Sequence, residues 1–127
     1  MEQSNLQFTN PRIEKIDFRV NNEATTDNMP ISIEVESEVI SDIKQAIVKL
    51  NLVVGEMDDG NIVTSIYFDG VIVADFQWND EVKKPDSMLK VSGGTVLLSY
   101  IRPILASLTM QAGMKPLNLP FVNFTKM

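Results

Sequence analysis

The sequence predicts an α+β domain: a four-stranded antiparallel meander sheet with a long C-terminal helix packed on it. Three observations carry this reading. Apolar residues between 97 and 112 recur with a helical period. Upstream stretches, as far as residue 76, alternate apolar and polar residues, the period of a half-buried strand. Short polar segments rich in turn-forming residues separate them. A helix stripe of this kind must be buried against the sheet that precedes it. The chain divides into a sheet (1–76), a connector (77–94), a helix (95–113) and an extended segment (114–127) within one domain.

Residues 1–12 are polar and end in Asn10-Pro11. Ile16, Phe18 and Val20 then alternate with Lys15, Asp17 and Arg19, predicting the first strand. Residues 21–30 read as a loop. Ile31, Ile33 and Val35 alternate with Ser32, Glu34 and Glu36 in the second strand, and 37–42 is polar enough to turn. Ala46, Val48, Leu50, Leu52 and Val54 share one face of a third strand; Ile43, Ile47 and Leu50 also fit a helical stripe, but the β-branched content favours strand. Asp58-Asp59-Gly60-Asn61 reads as a hairpin turn. The fourth strand spans 62–76, with Gly70 marking a bulge and the run Val71 to Ala74 covered on both faces.

The connector contains Pro85-Asp86 at a turn, a short helical turn over 87–91, and Gly93-Gly94 as a flexible joint. In the helix, Leu97, Ile101, Ile104, Leu105, Leu108 and Ala112 form one face. Thr95 is placed to cap its start, and Gly113 and Pro116 to end it. Pro103 removes a backbone donor and crowds the Ser99 carbonyl, so the helix either kinks there or begins near it. Val96, Leu98, Tyr100 and Met110 make a second apolar flank, which calls for a second partner surface.

Composition narrows the function. The 127 residues carry a net charge of −6 and no basic stripe, so nucleic acid is not an expected partner. The absence of Cys and His removes disulfides, thiol nucleophiles, the commonest general base and the commonest metal ligands. No catalytic residues, metal site or cofactor are predicted. Ser92, Ser99 and Ser107 have no histidine to form a triad. Gly93-Gly94-Thr95 lacks the Lys-Ser/Thr of a phosphate loop. Asp58 to Asn61 lacks the spacing of a calcium loop. Glu34, Glu36 and Glu38 share one strand face, as a solvated surface or as a site for a basic partner. The N-terminus has no apolar leader, and no apolar run approaches the ~20 residues that span a bilayer. A cytoplasmic protein without direct membrane insertion is expected.

The C-terminal run Pro116-Leu117-Asn118-Leu119-Pro120-Phe121-Val122-Asn123-Phe124 is held extended by its prolines and needs a groove for its apolar residues. Together with Tyr100-Ile101-Arg102, the helix and Gly113, it resembles the C-terminal segment of SecB, the protein-export chaperone family. The Leu-Asn-Leu-Pro-x-Val-Asn-Phe run is the specific part. Tyr67 to Ile72 is similar to the family's glycine-containing fourth strand.

The resemblance implies an ATP-independent holdase that binds unfolded or precursor polypeptides in apolar grooves. It also implies a homo-oligomer, a dimer of dimers with helices sandwiched between sheets. By region, the implied peptide-binding residues are Tyr67, Phe76, Trp78, Met88, Leu89, Val91, Leu119 and Phe121. A simpler account of the connector's apolar residues is that they cover the edge of the core. Leu97, Ile101, Leu105 and Leu108 are the implied oligomer interface, where Leu105→Asp is expected to break assembly. Family members commonly continue past Val-Asn-Phe into a second helix and an acidic tail that helps dock the motor SecA. Here the sequence stops at Met127, and Arg19 follows Phe18 where members often carry an acidic residue. Both departures weaken SecA as a partner. A dedicated chaperone of one partner, such as an antitoxin, is the alternative.

Overall fold

The computed structural model describes residues 6–24, 29–120, 122 and 124. The sheet consists of β1 (Leu6–Val20), β2 (Ile31–Ile40), β3 (Gln45–Val54) and β6 (Ile66–Trp78). The strands β4 (Met57–Asp58) and β5 (Asn61–Ile62) form a separate small hairpin. Its turn, Asp59-Gly60, has positive φ at both residues (49° and 79°), as Asp-Gly predicts. The four-stranded antiparallel sheet and C-terminal helix agree with the sequence reading, but the strand order does not.

The order is β1-β6-β3-β2, so only β2, β3 and β6 form a meander. β1 crosses to the far side and pairs with β6, with Phe18 opposite Phe68 and Ile16 opposite Gly70. Alternation fixes which face of a strand is buried, but not which neighbour it takes. β1 is also longer than predicted. It runs straight through Asn10-Pro11, because an edge strand tolerates a missing donor on its free side. Register shifts between Thr9 and Arg12 and between Ile13 and Lys15 absorb the irregularity, with Asn10 at φ 55°. The bulges are therefore in β1. At Gly70, β6 stays in register with both neighbours. A Cβ there would lie 2.6 Å from Phe68 Cζ and 3.0 Å from Ile101 Cδ1, so the glycine makes room for packing. Val73, on the face away from the helix, is buried at 1% exposure, so the run Val71 to Ala74 is covered on both sides as predicted.

The helix starts earlier than the periodicity indicated. α1 (Pro85–Met88), a π-turn (Leu89–Gly93) and α2 (Gly94–Gln111) run as one helix through the predicted joint. Pro85 sits at the first turn, where its missing N–H costs nothing. Gly93 and Gly94 are close-approach residues. A Cβ on Gly93 would meet Val48 at 3.3 Å, and one on Gly94 would meet the Phe124 ring at 3.0 Å. Thr95 lies ten residues into the helix, where its hydroxyl donates to Val91 O, so it is not a cap. The helix continues through Pro103. It ends as predicted at Gly113, φ 82°. Met114 N–H donates to Thr109 O and Gly113 N–H to Met110 O, the paired bonds of a Schellman ending. By length and composition alone this helix could cross a bilayer, which corrects the expectation drawn from apolar runs. Leu97, Ile101 and Leu105 are fully buried, which is the pattern of a core helix.

The core lies between one sheet face (Val48, Leu50, Leu52, Ile66, Phe68, Ile72, Phe76) and that helix. The extended C-terminal segment folds back along the helix. Arg102 Nη2 donates to Leu119 O at 2.7 Å, and Leu117 N–H donates to the buried Thr109 hydroxyl at 2.9 Å. Leu119 and Phe124 are buried at 4% and 2% exposure. The groove that the segment needs is thus provided by its own chain, and Leu98 of the second helical flank is covered there. Leu119→Ala is expected to lower unfolding free energy by about 2–4 kcal/mol, read from urea denaturation.

Candidate functional site

A helix is about 10 Å wide, whereas strands lie about 4.8 Å apart, so one helix cannot cover four strands. The start of the helix packs by β2, and its body lies over β3 and β6 and reaches β1. Apolar margins remain on both sides. Along β1, Phe8, Ile13, Ile16 and Val20 face the helix layer at about 40% exposure (37–41%), while Leu6 and Phe18 on the same face are half-buried against the core. Tyr100, 42% exposed, closes this margin from the helix side. Phe8 joins margin to core: its ring lies 5.9 Å from Phe76 and 6.0 Å, edge-on, from Tyr100. Along β2, Ile31 is exposed, and Ile33, Val35 and Val39 are half-buried on the same face.

The opposite sheet face is polar. β1 contributes Arg12, Lys15 and Arg19, and β6 contributes Asp69 and Asp75. Lys15 Nζ donates to Asp69 at 2.7 Å, Arg12 faces Asp75 at 3.5 Å, and Arg19 pairs with Asp17 at 3.0 Å. Asn51 Nδ2 donates to Asp69 at 2.8 Å and to Gly70 O at 3.0 Å, tying β3 into the same network. Partial burial works to raise the Asp69 pKa, but its bonds from Lys15 and Asn51 outweigh it and hold the carboxyl below its ordinary value. The hydrogen bond and charge of Asp69 raise Lys15 in turn. A depressed carboxylate contributes stability above its unfolded pKa and loses it as pH falls through the folded value. The Lys15 contribution has the opposite sense and is lost only as pH rises through its raised value. Asp69→Asn is therefore expected to flatten the loss of stability below about pH 4. Urea midpoints between pH 2 and 6 would show it. An acid limb as steep as that of the parent would contradict this assignment.

The structure divides the predicted peptide-binding set. Phe76, Leu89 and Leu119 are core residues at 4% exposure or less. Trp78 and Val91 are half-buried and pack against the core, and Met88 is half-buried at the start of the helix. Tyr67 is on the outer face of β6, away from the others. Phe121 lies outside the described residues. No single groove collects the set. Leu97, Ile101 and Leu105 are fully buried within the chain, and Leu108 is half-buried against the same core. The helical stripe is consumed by the chain's own sheet, which removes the predicted interface from those positions. The sequence reading missed the β1 margin. Its signal was the alternation of Leu6 and Phe8 with Gln7 and Thr9, ahead of the Ile16 to Val20 pattern.

Among the described residues, no group of acidic side chains is placed to hold a metal ion. Two hollows of about 350 and 310 Å³ open beside the sheet end (Thr9, Ile40, Gln45, Asp75) and between helix and C-terminal segment (Ser99, Arg102, Asn118). Neither brings together a nucleophile and a base.

No family model matches this chain, and no curated protein matches it either. Solved structures do. The Mycobacterium tuberculosis Rv1957 SecB-like chaperone, in complex with a ChAD peptide from the Rv1956 HigA1 antitoxin, superposes with a TM-score of 0.67. The alignment covers 94% of this chain and 91% of that one at 17% identity. The fold is SecB-like. A Streptococcus agalactiae protein of unknown function also shares it, with a TM-score of 0.55, 12% identity, and coverage of 91% of this chain and 97% of that one. At these identities the SecB-like fold is common ground.

Proposed function

We propose that this SecB-fold protein is an ATP-independent chaperone that binds extended, unfolded polypeptides along the apolar margin beside β2. The observation that carries the reading is the geometry of one helix on four strands, which leaves two apolar strips beside a covered core. Such strips bury client side chains at roughly 25 cal/mol per Å² of apolar area, offset by the cost of ordering the client. Nothing in this chemistry uses a nucleotide or a covalent step, so the protein is not an enzyme. It acts in the cytoplasm. The β1 margin with Tyr100 is covered by a second copy in a homo-oligomer, a dimer of dimers, and the β2 margin stays open to clients. A role in export through SecA has less support, since Arg19 stands in the outer-face charge row.

A second reading has its own support. The SecB-like neighbour is held with a single antitoxin peptide, so a dedicated chaperone of one partner fits the same surface. Refolding and aggregation of several unrelated test proteins, with and without the purified chain and without ATP, separates the two. Suppression of all of them supports the general holdase. No effect on any overturns it in favour of the single-partner reading. Ile16→Asp, measured by native mass, tests the oligomer: a folded but smaller particle is expected, and an unchanged mass would refute the β1 contact.

A further inference from the structure

One hollow belongs to neither apolar margin. It opens at the end of the sheet where β2 turns into β3, with a volume of about 350 Å³. Its walls differ in kind. Ile40 and Ile47, 48% and 38% exposed, line it from the outer sheet face, which is otherwise polar. Thr9, Gln45, Asp75 and Gln77 line it from three adjacent strands: Gln45 is opposite Gln77, and Asp75 stands between Thr9 and Ile47 in register. Among the described residues Asp75 is the one charged group in the lining. Its carboxylate is loosely engaged. Arg12 Nη1 and Nη2 approach Oδ1 at 3.5 Å and Asn10 Nδ2 approaches Oδ2 at 3.4 Å, all at the limit of hydrogen bonding. Arg12 makes a closer bond, 3.0 Å, to Asn10 O. Glu38, opposite Ile47 on β2, sets a second negative charge against that of Arg12.

We propose that this hollow binds an alkylammonium group, an aliphatic chain ending in a protonated amine. Asp75 sets the charge of the ligand, and the two isoleucines set its apolar part. The ammonium is placed on the Asp75 carboxylate. Its remaining N–H groups are met by the Gln45 and Gln77 carbonyls or the Thr9 hydroxyl, each of which can accept. Gln77 Nε2 donates to Gln7 at 3.2 Å, which leaves its carbonyl oxygen available. The aliphatic chain lies across Ile47 toward Ile40, where it removes apolar surface from water. An anion is repelled by Asp75, and a neutral ligand of the same shape desolvates the carboxylate without pairing it. No strand addition is involved, because β3 is already bonded on both sides, to β2 and β6. The inference goes beyond the chaperone reading and does not depend on it. A free amine and the lysine side chain of a partner share this chemistry.

The test titrates the full chain, labelled at its isoleucine methyl groups, with n-pentylammonium, 1-pentanol and pentanoate, read by NMR. Pentylammonium is expected to shift the Ile40 and Ile47 methyls with a dissociation constant of roughly 1–10 mM. The methyls of Ile16 and Ile31, on the two margins, should stay in place. The alcohol and the carboxylate should bind roughly threefold or more weakly than the amine. Lengthening the amine from butyl to hexyl should tighten binding about twofold per methylene, as for a half-buried chain. Asp75→Asn should weaken the amine about threefold to fivefold and abolish its preference over the alcohol. Ile40→Ser/Ile47→Ser should remove the dependence on chain length. Both are surface variants whose fold is checked by circular dichroism. Equal shifts at Ile16 and Ile31, equal affinity for amine and alcohol, or a preference retained in Asp75→Asn would each overturn the proposal. Nα-acetyl-lysine N-methylamide assigns the source. Binding within about threefold of pentylammonium supports a partner's lysine, and its exclusion while pentylammonium binds supports a free amine.

Discussion

Leu105→Asp leaves no folded chain to assemble. Leu105 is fully buried between the helix and the sheet, beside Leu97 and Ile101. Removing a buried leucine side chain costs about 3–5 kcal/mol, and placing a carboxylate there adds the cost of an unpaired buried charge. A domain of this size has a total stability of about 5–15 kcal/mol, so the folded state is lost or nearly lost. Circular dichroism at 25 °C should show loss of helix and strand together. Met110→Asp is the control. Met110 is on the same helix but 58% exposed, and its variant should stay within about 0.5 kcal/mol of the parent. A folded Leu105→Asp protein with reduced mass would return this position to an interface.

Gly55→Ala is expected to cost about 3–5 kcal/mol and to lower the melting temperature by roughly 10–20 °C. Gly55 follows β3 at φ 95°, in the region that side chains avoid. An added Cβ would stand 2.2 Å from Ile66 O and 2.7 Å from the Thr64 hydroxyl. That hydroxyl is itself committed, donating to Ile66 O at 2.6 Å and accepting from Glu56 N–H at 3.0 Å. The clash is with backbone, and relieving it pulls apart the turn that hands β3 to β6. Gly60→Ala isolates the conformational part. Gly60 has a similar φ of 79° but open space around it, so about 1 kcal/mol is expected. Equal losses in the two thermal melts would show that packing around Gly55 contributes nothing.

What the sequence made legible was local. The alternation of β2 and β3, the Asp59-Gly60 turn and the Gly113 ending are each written in adjacent residues, and each formed as read. The extent of the helix was hidden because its first two turns, through Lys90, Ser92 and the glycine pair, lack a stripe and are placed by contacts with Val35, Val48 and Phe124. The site was hidden for a related reason. Whether a periodic apolar residue is core or margin depends on where the helix lies across the sheet, which periodicity does not encode. So Leu105 and Leu89, which looked available, are core, and Phe8 and Ile13, in a stretch read as polar or left unassigned, form the open margin.

The strand order also sets a timetable. Leu6–Val20 is synthesised first, yet its partner is Ile66–Trp78, so the earliest strand waits for most of the chain before it can pair. During that interval β6's side of the sheet is an unpaired edge, and the apolar row of β1 is exposed along its whole length. Pairings of such long sequence separation close slowly, on a scale of milliseconds to seconds, and leave aggregation-prone intermediates. Until that pairing closes, the apolar row of β1 is itself open to association with other exposed apolar surfaces.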